Sequence, residues 1–196
     1  PPEVAKRMEE IAGAPCELVD DPLALAARLW PGATAAVVVS TQDESWLLHA
    51  AAFGGATESA VLAVDPTAAP PLEQLRPLGL ATLYLTPPFA AWKTAVSPLA
   101  PNIVEIGSTA DLVAELLRRL PAPPSTVVIA NPADRRNRFL PASLSLIAPL
   151  VSAAHQAPLF LTEQRDGREI EADFLAFLDR TGLKPTHLVL VGDELA

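Results

Sequence analysis

Short runs of aliphatic and β-branched residues recur along the chain, and stretches with helical periodicity separate them. The clearest run, from Ala35 to Val39, shows no alternation of polar and apolar residues. Such a run is typical of a strand buried on both faces, as in a parallel sheet covered by helices. Strands that alternate with helices need right-handed crossover connections. The pattern therefore predicts an α/β fold, a Rossmann-like three-layer α/β/α arrangement with one or more mostly parallel sheets.

The same pattern predicts the individual elements. Strands are expected at 35–40, 59–65, 81–86, 103–107, 126–131, 157–162 and 187–192, and helices at 44–53, 70–78, 111–120, 140–154 and 168–180. Gly79 is expected to cap the second of these helices, and Ser108 or Thr109 to begin the third. Gly54 and Gly55 lie where the first helix is expected to end, so they are interpreted as ordinary glycine caps.

Two halves of the chain repeat this order of elements. Residues 21–29 match 111–118, and Val37–Val39 match Val127–Ile129, both at an offset of 90 positions. A repeat of this length is too long for a solenoid and indicates an internal duplication of a β-α-β-α-β unit. We assign residues 1–107 to the first unit and 108–196 to the second, with the junction in 98–107. The two units could pack as one compact domain.

Composition excludes several classes of protein. Half of the residues are hydrophobic and 19% are charged, which excludes a disordered chain. The net charge of −9 argues against a nucleic-acid partner. The longest weakly charged stretch, 139–162, contains three prolines, so it predicts a buried helix and strand rather than a membrane span. The chain opens on Pro1-Pro2-Glu3 without a signal sequence, so we expect a segment of a longer or processed protein.

No pattern of a catalytic, cofactor or metal site is found. After the first strand the sequence runs from Ser40 to Glu44 without glycine and with two carboxylates, which would repel a nucleotide phosphate. No G-x-S-x-G elbow occurs, and Cys16 is the only cysteine. The three histidines, His49, His155 and His187, are far apart and are interpreted as structural. We therefore predict that the chain is not an enzyme and binds no metal or cofactor.

The loops that follow the strands remain as candidate binding surfaces, because open α/β sheets bind ligands at the carboxyl ends of their strands. In the first half these ends carry Ser40, Thr41, Gln42, Asp43, Asp65 and Thr86. In the second half they carry Asn131, residues 134–138, residues 162–166 and residues 192–194.

One loop of the second half concentrates positive charge, since it holds three of the chain's 14 basic residues. Arginine binds carboxylate, phosphate and sulfate through its fork of donors. The candidate residues for binding an anionic polymer or an acidic partner are Arg135, Arg136, Arg138, Asn131, Asp134, Gln164 and Arg165. The alternative is a solvated loop whose arginines pair with nearby acids. Trp30, Trp46 and Trp92 are interpreted as core residues, with an exposed carbohydrate platform as the alternative.

Residues 145–162 read Ser-Leu-Ile-Ala-Pro-Leu-Val-Ser-Ala-Ala-His-Gln-Ala-Pro-Leu-Phe-Leu-Thr. This stretch resembles the helix-to-strand signature of the bacterial cell wall binding repeat 2 family, in which a helix of small residues precedes a strand of the Ala-Pro-Ile-Leu-Leu-Thr type. The turn at 181–184 and the strand ending at Gly192 are similar to the family's next elements. The family commonly opens that helix with Asn-Phe-Ala-Asp-Ala and has three repeats; here residues 140–144 read Leu-Pro-Ala-Ser-Leu, and two repeats are counted.

The resemblance implies non-catalytic attachment of surface proteins to anionic cell-wall polymers. We therefore expect a cell-surface or envelope module for attachment or scaffolding within a larger multidomain protein, located outside the cytoplasm, although a cytoplasmic location is not excluded. Its partners would be an envelope polymer or neighbouring domains. One alternative is a small-ligand-binding or enzymatic domain, which needs a pocket joining Asp43, Asn131 and Glu163. Another is an interaction domain that binds only its own chain neighbours.

Overall fold

The computed structural model describes residues 13, 22–132, 144–162 and 167–192. Its strands form two separate sheets, and every pairing in both of them is parallel. The first sheet has the order β2-β1-β3-β4 and the second has the order β6-β5-β7. The strands are β1 (Ala35–Ser40), β2 (Ala60–Val64), β3 (Thr82–Leu85), β4 (Asn102–Glu105), β5 (Thr126–Ala130), β6 (Leu159–Leu161) and β7 (His187–Val191). The α/β fold class with helices on both faces of parallel sheets is confirmed.

Helices occupy the intervals between the strands. They are α1 (Pro22–Leu29), α2 (Glu44–Thr57), α3 (Leu72–Leu75), α4 (Lys93–Val96), α5 (Thr109–Arg119), α6 (Ala148–His155) and α7 (Gly167–Thr181), with 3₁₀ turns at Arg76–Leu78, Pro87–Trp92 and Leu144–Ile147. The helix predicted at 70–78 is split, because Pro77 has no N–H to continue an α-helical ladder. The helix predicted at 140–154 becomes α-helical only at Ala148, and residues 140–143 lie outside the described residues. Along the described part of the chain, no helix is long and apolar enough to cross a membrane.

The caps of these helices partly differ from expectation. Ser108 caps α5 by accepting the N–H of Asp111, and Gly79 adopts a positive φ of 61° at the end of a 3₁₀ turn, as predicted. The interpretation of Gly54 and Gly55 as caps is wrong, because α2 continues to Thr57 and its C-cap is Glu58, with φ 54°. A Cβ on Gly55 would lie 2.7 Å from Cβ of Ala153. This glycine therefore permits α2 and α6 to approach closely.

Two helices are shared between the sheets. One side of α2 and α5 places Phe53, Leu112 and Leu116 in a core with Val37 and Tyr84 of the first sheet. The other side of the same helices faces the second sheet: Leu48 of α2 packs with Val128 on one of its faces, and Val113 of α5 packs with Val127 on the opposite face. The chain thus forms two sheets joined by a common pair of helices.

Backbone hydrogen bonds define equivalent positions in the two sheets. The carbonyl of Thr34 accepts the N–H groups of Ala81 and Thr82, and the carbonyl of Ser125 accepts those of Thr186 and His187. Thr34 and Ser125 are 91 positions apart, and so are Ala35, which pairs with Thr82, and Thr126, which pairs with His187. The sequence match at 90 is therefore wrong by one residue in the strands. A shift of one residue moves every side chain to the opposite face, and runs of valine tolerate either alignment.

Candidate functional site

A cleft lies where the carboxyl end of β6 meets the shared helices and α7. Its volume is about 260 Å³, and it is called the strand-end cleft below. Its polar lining comes from several elements: Ser45 and His49 of α2, Thr109 of α5, Thr162 after β6, and Asp173 and Arg180 of α7. This position agrees with the general rule that α/β folds bind ligands at the carboxyl ends of their strands.

His49 is the buried histidine of this cleft. Its Nδ1 donates to the carbonyl oxygen of Ser45 at 2.9 Å. Burial lowers the pKa of His49, and this effect outweighs the backbone contacts with Ser45 and Leu159 and the charge of Asp43, which raise it. The ring is therefore neutral at pH 7. Because one ring nitrogen is committed to the helix backbone, His49 contributes to packing between α2 and β6, as the structural interpretation predicts.

The polar residues at the strand ends of the first sheet are committed to local structure. The side chain of Asp43 caps α2 by accepting the N–H of Trp46 at 3.1 Å. Asp65 accepts both the N–H and the hydroxyl of Thr67, and these bonds lower the pKa of the Asp65 carboxyl. The hydroxyl of Thr86 donates to the carbonyl of Val38 at 2.9 Å. These groups thus stabilise a helix cap, a turn and a strand contact of the first sheet.

The predicted binding residues of the second half are described only in part. Asn131 follows β5 directly and is half-buried. Asp134, Arg135, Arg136, Arg138, Gln164 and Arg165 lie outside the described residues, so their role in binding stays a prediction. The strand-end cleft is lined by Pro132 and Thr162, which are neighbours of Asn131 and Glu163, but Asn131 and Asp43 are not part of its lining. Because Glu163 lies outside the described residues, the pocket that the enzymatic alternative requires stays a prediction.

A charged cluster around the buried Glu115 joins α5 to β3, and sequence reasoning missed it. Glu115 accepts the hydroxyl of Tyr84 at 2.6 Å and Nε of Arg119 at 3.0 Å through Oε1, while Arg118 donates to its Oε2. The guanidinium of Arg119 lies 5.2 Å from the centre of the Tyr84 ring. The spacing of Glu115, Arg118 and Arg119 on one predicted helix was the available signal, but the buried tyrosine that orders the cluster is distant in sequence.

The same contacts shift two pKa values. Burial, and then the hydrogen bond to Glu115, raise the pKa of Tyr84 to about 12. Burial alone would raise the pKa of Glu115, but the donors from Tyr84, Arg118 and Arg119 outweigh it and hold the pKa below its usual value. The carboxylate is therefore ionised and fully engaged, which suits an attachment between α5 and the first sheet rather than acid–base chemistry.

The aromatic and histidine interpretations can be checked for the described residues. Trp92 is buried, with its ring 4.7 Å from that of Phe89, and Trp30 and Trp46 are half-buried against the cores. The prediction of core packing is confirmed for these tryptophans. His155 and His187 are exposed. Among the residues that the structure describes, no group of three or more His, Cys, Asp or Glu could hold a metal ion; Cys16 lies outside them.

Comparisons with known proteins support the fold. No family model matches the sequence, and no curated protein matches it. Among solved structures, the fold is similar to that of Cwp6 from Clostridium difficile, with a TM-score of 0.69 and 13% sequence identity. The match covers 97% of this chain and 32% of that chain, so the chain spans about a third of the structure that it resembles. At this identity the likeness shows a shared fold.

Proposed function

We propose that this chain is a non-catalytic module of a cell-surface protein, used for attachment to the cell envelope or for scaffolding within a longer protein. The proposal is supported by the fold shared over 97% of the chain with Cwp6 from Clostridium difficile. It is also supported by the resemblance of residues 145–162 to the cell wall binding repeat 2 signature. The strand-end groups of the first sheet support it, because they are engaged in caps and turns. A location at the cell surface belongs to the same proposal.

The attachment surface that we propose is the carboxyl edge of the second sheet, at the loop carrying Arg135, Arg136 and Arg138. On a chain with a net charge of −9, a local group of three arginines is the feature that suits an anionic polymer. Exposed ion pairs contribute about 0.5 kcal/mol each, so loss of three of them corresponds to about a tenfold change in affinity. Salt would weaken such binding by screening.

The test is co-sedimentation of the purified protein with isolated cell envelope across a salt series. Wild type is expected to bind at low salt, and the variant with Arg135, Arg136 and Arg138 all changed to Ala to bind about tenfold more weakly. The matched control changes Arg76, Lys93 and Lys184 to Ala, which removes the same charge elsewhere and should bind as wild type. Absence of binding by wild type, or equal loss in the control, would contradict the proposal.

The strand-end cleft favours a second candidate, a small-ligand-binding domain, because a buried neutral imidazole lies there beside Asp173 and Arg180. The cleft volume of about 260 Å³ is below the roughly 300–1,000 Å³ of most ligand pockets. A small-molecule library screened by thermal shift tests this candidate. A compound that raises the Tm of wild type but not of His49→Gln would favour ligand binding over attachment.

A further inference from the structure

The two sheets differ at one edge, on the outer side of β3 in the first sheet and of β7 in the second. In the first sheet, β4 pairs with the outer side of β3, with Leu83 opposite Ile103 and Leu85 opposite Glu105. In the second sheet, β7 is the equivalent of β3, and no described strand pairs with its outer side. A free strand edge of this kind presents unpaired N–H and C=O groups and is a template for another strand.

The side chains on the two equivalent strands show the same contrast. Leu83 and Leu85 are 0% exposed, whereas Leu188 and Leu190, at the matching positions of β7, are 52% and 60% exposed. Leu83 and Leu85 point to the face of the first sheet that carries α3. Leu188 and Leu190 point to the face of the second sheet that carries α7. Two exposed leucines in register on one face of an edge strand form an apolar surface that requires an explanation.

The first sheet shows what covers these positions. Phe89, Trp92 and Val96, from the connection between β3 and β4, pack in the core that contains Leu83 and Leu85. On the corresponding face of the second sheet, a groove of about 670 Å³ lies between α7 and the amino end of β7. This α7–β7 groove is lined mainly by apolar side chains, including Phe174, Leu175, Leu178, Leu183 and Leu188. The groove therefore lies on the face that the aromatic turn covers in the first sheet.

We propose that the outer edge of β7 and the α7–β7 groove bind a strand preceded by an aromatic helical turn, supplied by another α/β unit with the pattern of residues 87–105. The strand would add in parallel to the sheet β6-β5-β7, as β4 continues β2-β1-β3. The carbonyls of Thr186 and Leu190 would accept its N–H groups, as those of Ala81 and Leu85 accept the N–H groups of Asn102 and Ile106. Two aromatic side chains would cover Leu188 and Leu190.

The charges of residues 87–105, whose pattern the proposed partner would share, agree with this occupant. Within residues 87–105, Lys93 and Glu105 pair with each other at 2.7 Å, so the segment carries no net charge to an apolar groove. The charged side chains of the groove lining are Asp179 and Lys184, which also balance. The α7–β7 groove thus suits a neutral, aromatic segment. The arginine loop, by contrast, is proposed to bind an anionic polymer. The proposal does not rest on attachment to the envelope.

The probe for the test is a synthetic peptide with the sequence of residues 86–107, added to the whole chain. We expect it to bind and to slow amide hydrogen exchange at residues 187–191, because a paired strand protects those groups. Leu188→Asp and Leu190→Asp should abolish the protection. A peptide with Phe89→Ala and Trp92→Ala should bind at least about tenfold more weakly, since two buried aromatic contacts are lost.

The matched control is Leu150→Asp, which changes a leucine that is 71% exposed on α6 and should bind the peptide as wild type. Circular dichroism of each variant checks folding, and exposed positions tolerate the change. If the peptide instead replaced residues 86–107 in the first sheet, its binding would not depend on Leu188. Loss of binding in Leu188→Asp therefore identifies the β7 edge as the site. No protection at 187–191, or equal loss with Leu150→Asp, would overturn the proposal. So would self-association of wild type through β7 without peptide binding, because the occupant would then be a second copy.

Discussion

The first sheet and the second sheet have the same register but different surroundings. β3 has β4 on its outer side and an aromatic turn over its leucines, and both of its leucines are fully buried. β7 has equivalent leucines that are half exposed, and the described residues place no strand beside it. The difference teaches that a strand's own sequence does not decide its burial. The segments that pack against it do so, as β4 and the connection before β4 pack against β3.

The largest effect is expected where the two strands are compared directly. Leu85→Ala should lower the free energy of unfolding by about 3 kcal/mol, because it leaves a cavity in a core that does not collapse fully. Leu190→Ala, at the matching position of β7, should change it by less than about 0.5 kcal/mol, because that side chain is already in water. Urea denaturation measures both. Equal losses in the two variants would mean that Leu190 is buried in solution and that the contrast between the sheets is incorrect.

The charged cluster between α5 and β3 offers a second comparison, between a buried and an exposed carboxylate. Glu115→Ala should cost about 3 kcal/mol, because it leaves the hydroxyl of Tyr84 and the Arg119 guanidinium without their acceptor. Glu105→Ala, which breaks the exposed pair with Lys93, should cost less than about 1 kcal/mol. Thermal and urea unfolding measure both changes.

A pH series sharpens that comparison. The pKa of Glu115 is held below its unfolded value, so its stabilising contribution is complete above the unfolded pKa of about 4.5 and is lost as pH falls through the lower folded pKa. At pH 5 the free energy of unfolding of the wild type should therefore exceed that of Glu115→Gln. This difference should decrease as the pH is lowered toward 3. A constant difference across that range would show that the carboxylate is not held ionised by the cluster.

The smallest effect is expected at His49, where α2 contacts β6. Because burial lowers the pKa of His49, the folded state excludes a proton that the unfolded chain binds near pH 6.5. Stability should fall by less than about 1 kcal/mol per unit as pH drops from 7 to 5, and this slope should be smaller in His49→Gln. His155→Gln, on the exposed end of α6, is the control and should keep the wild-type slope. Equal slopes in wild type and His49→Gln would show that the ring is accessible to water.

Much of the fold could be predicted from local pattern. The aliphatic runs located all of the strands that the structure describes within one or two residues. Burial on both faces requires such a run in β1, whereas β4 and β7 have aliphatic residues although both strands are partly exposed. The caps at Ser108 and Gly79 followed from their chemistry. Gly55 was misinterpreted, because close packing of α2 on a helix about 100 positions later in the chain has no local sign. Gly54 was also misinterpreted, and a Cβ there would instead meet the backbone of Ser59 and the side chain of Val61. The one-residue error between the two halves has the same origin, since only cross-strand hydrogen bonds define which faces correspond.

The candidate site was less predictable than the fold. The polar residues after β1, β2 and β3 were correctly placed at the strand ends, but their bonding to caps and turns depends on backbone geometry. The buried cluster of Glu115 depends on Tyr84, 31 positions earlier. The arginine loop remains a prediction from sequence. The β7 edge became visible only by comparing burial at equivalent positions.

The sequence by itself determined the alternation of strands and helices, the parallel pairing that short buried strands joined by helices require, and the low charge of the cores. The tertiary structure decided that there are two sheets, that α2 and α5 serve both of them, and that β3 is covered while β7 is open. The physical reason is that strand formation and helix periodicity are local properties. Burial of a face depends on which distant segment packs against it, and equal strands can therefore have unequal surroundings.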